Sequence, residues 1–166
     1  MNIKRFTLKN NLIKSLFIFG IFGILIACST QKDRFVNRKF QALNTKYNVL
    51  YNGGVALDKG VETLEKQYVD NYWSVLPVER QQPVVEKTET ETAINPDFER
   101  AETKATKAIQ RRSMYIDHSE RNTQIDEAYL MLGKARYYDQ RFIPALEAFN
   151  YVLTKYPGSD KINEAK

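Results

Sequence analysis

The sequence predicts an all-α protein built from helical hairpins that stack one on the next. Three observations carry that expectation. Beyond residue 34, apolar residues recur at intervals of three and four, the period of one helix face. Residues 123–158 place aromatic, glycine, alanine and proline where two closely packed helices would need them. At 166 residues, with 43% apolar and 27% charged, the chain has the size and composition of one globular domain with appendages.

The first appendage is N-terminal. The formal net charge of +5 suggests nucleic-acid binding, but the excess is local. Residues 1–27 hold Lys4, Arg5, Lys9 and Lys14 and no acidic residue, which leaves 21 basic against 20 acidic groups in the remainder. A nearly neutral remainder has little electrostatic drive toward phosphate backbones, so no nucleic-acid partner is expected. The basic front and the apolar run from Ser15 to Ala27 read as a signal peptide over residues 1–27. The run is short of the roughly 20 residues a spanning helix needs. It ends in Leu25-Ile26-Ala27-Cys28, which resembles the cleavage box of bacterial lipoproteins. There the thiol takes a diacylglyceryl group and Cys28 becomes the new N-terminus. Residues 28–33 would then be a lipid-anchored tether, and Ser29 is compatible with onward transport to an outer membrane.

In the body, Val36, Phe40, Leu43, Tyr47 and Leu50 trace one helix face. Gly53-Gly54 reads as a turn, and Leu57, Val61, Leu64, Tyr68 and Tyr72, with Val69 and Trp73, trace a second face. Residues 34–76 are therefore expected to form a helical hairpin. Residues 77–95 lose the apolar period and read as a mobile polar loop. Asn95 caps the next helix, Pro96 suits its first position, and Asp97 and Glu99 favour its positive end. Phe98, Ala101, Ala105, Ala108 and Ile109 give that helix a narrow face of small residues, with a polar connection closing the 96–122 segment.

Thr123-Gln124-Ile125-Asp126 fits a capping-box start for residues 123–158. Tyr129, Leu132, Gly133, Ala145, Phe149 and Pro157 then reproduce the spacing of the tetratricopeptide repeat, whose period is about 34 residues. Gly133 and Ala145 leave room for two helices to meet; Tyr129, Leu132, Leu146 and Phe149 fill the space between them; Pro157 and Gly158 end the second helix. Arg136 stands where the repeat usually has an aromatic residue, and Gln140-Arg141 replaces the usual Gly-Asp turn. Residues 159–166 resemble the opening of a further repeat, so the chain reads as an N-terminal fragment, or a truncated copy, of a longer solenoid.

Nothing supports catalysis. Asp117-His118-Ser119 spells the letters of a hydrolase triad, but consecutive residues cannot converge on a reacting atom. One cysteine and one histidine leave no zinc cluster or His-rich metal site, and no phosphate-cradling glycine loop is present. Neither a cofactor nor a small-molecule substrate is expected. The inner helix of such a repeat lines the concave side, which points to Glu127, Leu130, Lys134, Tyr137 and Tyr138 as a partner-binding face.

Several strings are more specific than the repeat signature: Arg34-Phe35-Val36-Asn37-Arg38, Lys46-Tyr47-Asn48-Val49-Leu50-Tyr51-Asn52-Gly53, Lys107-Ala108-Ile109-Gln110-Arg111-Arg112-Ser113-Met114 and Asp126 to Ala135. Together they resemble the tetratricopeptide lipoproteins of Bacteroidetes of the PorW/SprE type. The resemblance implies a non-enzymatic outer-membrane lipoprotein on the periplasmic face, acting as a scaffold in type IX protein secretion and gliding motility, with other secretion-system proteins as partners. Two rivals share the lipidated cysteine and the repeats: a BamD-like outer-membrane assembly scaffold and a SusD-like glycan-binding surface lipoprotein. The first lacks a 77–95 insertion; the second carries long aromatic-rich insertions not seen here.

Overall fold

A computed structural model describes residues 14–15, 29–78 and 95–166. Apart from residues 14 and 15, the expected signal peptide lies outside the described residues, as do Cys28 and most of the 77–95 loop. The body is helical: α1 (Phe35–Asn44), a π-helical segment (Thr45–Leu50), α2 (Tyr51–Gln67), α3 (Pro96–Arg112), α4 (Ile125–Tyr138), α5 (Phe142–Lys155) and the short α6 (Ile162–Ala165). Each major helix packs against the ones before and after it, so order in space follows order in the chain.

The expected hairpin over 34–76 is not there. α1, the π segment and α2 run on without a break through Gly53-Gly54. Both glycines are helical, and Gly53 serves close approach: a β-carbon on it would stand 2.6 Å from Met131 Sδ. Most of the expected first stripe also faces the other way; of its five residues only Leu50 is in the core, and Phe40 is half-buried. Val36, Leu43 and Tyr47 are exposed, while Asn37, Gln41, Thr45 and Val49 are buried. The wider π turn keeps residues 37, 41, 45, 49 and 53 in one column where ordinary α-helical winding would let them drift. Thr45 Oγ1 donates to the Gln41 carbonyl (2.8 Å) and accepts from Asn122 Nδ2 (3.0 Å), so the buried hydroxyl has two partners. Gln41 Oε1 accepts from Arg112 (3.1 Å). Of the second stripe, Leu57 is buried, but Val69, Tyr72 and Trp73 lie past the helix end and are exposed, Trp73 at 98%.

The true partner of α2 is α3. Asn95 caps α3 by accepting the Asp97 N–H (2.9 Å), with Pro96 and two acids in the first turn and Arg111 and Arg112 at the other end. Its small-residue face, Phe98, Ala101, Ala105 and Ala108, is wholly buried between α2 and α4 and forms the centre of the core. Phe98 lies flat on Gly60: a β-carbon there would be 2.4 Å from Phe98 Cε1. The same contact recurs between α4 and α5, where a β-carbon on Gly133 would be 2.4 Å from Phe149 Cε1. Two glycine–phenylalanine contacts thus seat two successive helix pairs.

The polar connection before α4 is more ordered than its composition suggests. Tyr115–Ile116 and Ser119–Glu120 pair as a small antiparallel hairpin. Its two loop residues, Asp117 (φ 51°) and His118 (φ 59°), are both left-handed, as a tight primed turn demands. The expected capping box at Thr123 does not form: α4 begins at Ile125, and Asn122 Oδ1 accepts the Gln124 N–H (3.2 Å). Leu146, expected between helices, is exposed instead.

At the α4–α5 turn, Gln140 occupies the left-handed region with φ 64°. Left-handed backbone costs a residue with a β-carbon about 1–2 kcal/mol, and glycine loses about 0.5–1 kcal/mol more on folding. Gln140→Gly is therefore expected to gain roughly 0.5–1 kcal/mol. A thermal melt checks this: the midpoint should rise, and a fall would mean that the glutamine side chain supports the turn.

Candidate protein-binding cleft

The structure gathers three of the five predicted binding residues. Glu127, Leu130 and Lys134, one helix turn apart along α4, line a cleft of about 170 Å³ with Leu57 and Met131 on one side and Lys161 and Glu164 on the other. Lys134 bonds to the Glu164 carboxylate, and this contact holds the Glu164 carboxyl below the usual carboxylate range. An exposed pair of this kind adds little stability, so it can open at small cost.

The other expectations need correcting. Leu130 is only 4% exposed, packed with Val152 and Ala165, so it forms the cleft floor and not a contact surface. Tyr138 stacks on Phe98 (6.0 Å between ring centres) and belongs to the core, while Tyr137 sits edge-on to Tyr138 and Phe142 (5.4 Å each) outside the cleft. Burial of these rings depends on neighbouring helices, which spacing along α4 does not reveal.

Of the repeat positions, Leu132, Gly133 and Ala145 are buried, Phe149 rests on Gly133, and Pro157 follows the end of α5. Tyr129 stacks on Tyr151 at 4.2 Å, with Tyr156 beside both. These three rings, with Tyr115 and Glu120, line a second small cavity of about 150 Å³ that the sequence does not announce. Burial, with the Tyr151 contact adding to it, pushes the Tyr129 hydroxyl up to about 12, and burial likewise raises Tyr156. Both phenols therefore stay protonated at neutral pH and act as hydrogen-bonding groups, not bases. The Glu120 carboxylate beside them is tied down by the Met114 and Asn122 N–H groups (2.7 and 2.8 Å) and the Ser113 hydroxyl. A wider polar depression, about 450 Å³, follows α3 alone from Glu99 to Arg111, with no second element converging on it.

Asp117, His118 and Ser119 sit exposed on the hairpin tip, with no converging geometry. Among the described residues no group of three or more His, Cys, Asp or Glu side chains could hold a metal ion, and no helix is long and apolar enough to cross a membrane. Arg136, in the place of the repeat's usual aromatic, reaches Glu102 on α3 (2.8 Å) and the Pro144 carbonyl (3.2 Å). An ion pair replaces a ring there.

No protein-family model matches the chain, and no curated protein shows significant similarity to it.

Proposed function

We propose that the chain is a tetratricopeptide-type scaffold, lipid-anchored at Cys28 to the periplasmic face of the outer membrane, serving type IX secretion and gliding motility through protein contacts. The observation that supports the repeat reading best is the recurrence of the glycine–phenylalanine contact, Gly60 with Phe98 and Gly133 with Phe149, in helices that pack in chain order. In a solenoid each repeat contacts its neighbours, and such arrays bind extended partners. The secretion role comes from the sequence resemblance. The cleft between α4 and α6, lined by Glu127 and Lys134, is the surface we assign to a partner, in place of the five-residue face expected from spacing.

Full-length protein, affinity-purified from a detergent-solubilised envelope, is expected to bring down type IX ring or translocon subunits. Lys134→Glu should weaken that recovery while helicity by circular dichroism stays unchanged. Metabolic labelling with a palmitate analogue should tag the wild type and not Cys28→Ser. Recovery of β-barrel assembly proteins alone would favour the BamD-like rival, and specific retention of a glycan the SusD-like one.

A further inference from the structure

Along the continuous helical run from Phe35 to Val55, most of the apolar stripe is turned away from the core, and only Leu50 of its expected members points in. Val36, Leu43, Tyr47, Tyr51 and Val55 are all exposed, at positions that share one face, and Phe40 between them is half-buried. The opposite face, from Asn37 to Gly60, carries the packing against the rest of the fold. From Arg34 to Leu57 the chain has four basic residues and no acidic one. Lys39 lies over the Phe35 ring (5.7 Å) and Lys46 over the Tyr47 ring (5.9 Å), beside the stripe. On the other border, Asn48 bonds to Asn44 (2.7 Å) and Asn52 to the Asn48 carbonyl (2.9 Å).

An aromatic and aliphatic stripe edged on one side by lysines, without acid, is complementary to an anionic bilayer surface. Apolar side chains enter the acyl boundary there, while lysines extend to the headgroups. A protein partner would demand shape and hydrogen-bond complementarity, whereas this surface offers a plain apolar strip with one positive edge and one of neutral asparagines. The geometry points to the exposed face of the Phe35–Val55 helix as an interfacial surface that lies flat on anionic phospholipid, with the other helices stacked on its far side. This deepens the anchored-lipoprotein reading and rests on it for bringing the helix to a bilayer. Each basic residue near such a surface favours partitioning about fivefold. Arg38 shares its charge with Asp33 (3.3 Å), so Lys39 and Lys46 are the residues to test.

The full-length lipidated chain is labelled with an environment-sensitive fluorophore at Leu43→Cys, or at Leu146→Cys on α5 as a control, since the lipid occupies the Cys28 thiol. It is added to vesicles of phosphatidylglycerol and phosphatidylethanolamine in equal parts, or of phosphatidylcholine alone. At position 43 the emission should shift to the blue, with iodide quenching reduced several-fold, in the anionic vesicles, and position 146 should stay aqueous. Lys39→Glu with Lys46→Glu, or added salt, should reverse most of the shift. A chain that sediments with anionic vesicles while position 43 stays aqueous overturns the proposal. Protection of position 43 only in native envelopes, and never in protein-free vesicles, overturns it in favour of a protein cover. Mass spectrometry of Cys28 judges the anchor separately: an unlipidated chain that still shifts at position 43 removes the anchor and keeps the helix surface.

Discussion

Phe98→Ala should destabilise the protein by about 3–5 kcal/mol, the usual cost of deleting a buried aromatic ring. The ring is fully buried at the centre of the core, on Gly60 to one side and Tyr138 to the other. Its loss opens a cavity between α2, α3 and α4, and all three seams weaken together. Gly60→Ala approaches the same contact from the opposite side. Alanine improves helix propensity by about 1 kcal/mol, yet its methyl would meet a ring that cannot move aside, an overpacking of about 1–3 kcal/mol. Overpacking should win, so the variant is expected to melt below the wild type. The double variant makes the cycle informative, since the methyl then enters the cavity that the lost ring leaves. Its cost should fall short of the sum of the two single costs by at least about 0.5 kcal/mol. Additive costs in urea melts would show that Gly60 and Phe98 do not meet.

That contact also shows where the sequence was hard to read. The α3 segment was legible because its signals are local: Asn95 caps it, Pro96 opens it, and four residues of one narrow face are buried. Gly133 was legible as a close-packing glycine because the expected repeat spacing fixes its place, but that spacing set Ala145 opposite it, whereas the side chain that lies on it is Phe149. Gly60 and Phe98 make the same contact across an insertion, so no fixed spacing announces them. Gly53-Gly54 misleads for a related reason. A glycine that ends a helix and one that admits a neighbour look alike in sequence; only Met131 lying against Gly53 decides between them. The first stripe misleads differently. Periodicity reveals a face but not its direction, and Asn37, Gln41 and Thr45 face inward because Lys32, Arg112 and Asn122 supply hydrogen-bond partners. The expected binding face divides according to its dependence on neighbours: Glu127 and Lys134 reach a cleft, while Leu130 forms its buried floor and Tyr138 packs half-buried against the core.

Arg141→Met should cost about 2–3 kcal/mol, at or below the range for breaking a fully buried ion pair. The reason is that the Arg141–Glu102 pair is part-buried and Glu102 keeps Arg136, while the buried Asp139 loses its guanidinium partner. Arg141, 10% exposed, bonds to Glu102 on α3 and to Asp139 (2.9 Å) at the α4–α5 turn. Asp139 is 1% exposed and also accepts the Asn95 N–H (3.2 Å), so the network ties the start of α3 to the turn of the following helix pair. Burial by itself would raise the Glu102 pKa; the hydrogen bonds and charges of Arg141 and Arg136 outweigh it and leave the carboxyl below its ordinary value. A depressed folded value means that the unfolded chain binds the proton more readily. The stabilisation is therefore complete above the ordinary glutamate range and is lost as pH falls through the lowered folded value. Removing Arg141 moves the folded value back toward the unfolded one, so the variant should lose less on acidification. Thermal melts from neutral pH down through the carboxylate range should show the gap between wild type and Arg141→Met narrowing as Glu102 takes up its proton. A gap that stays constant with pH would assign the arginine's effect to the packing of its aliphatic stem.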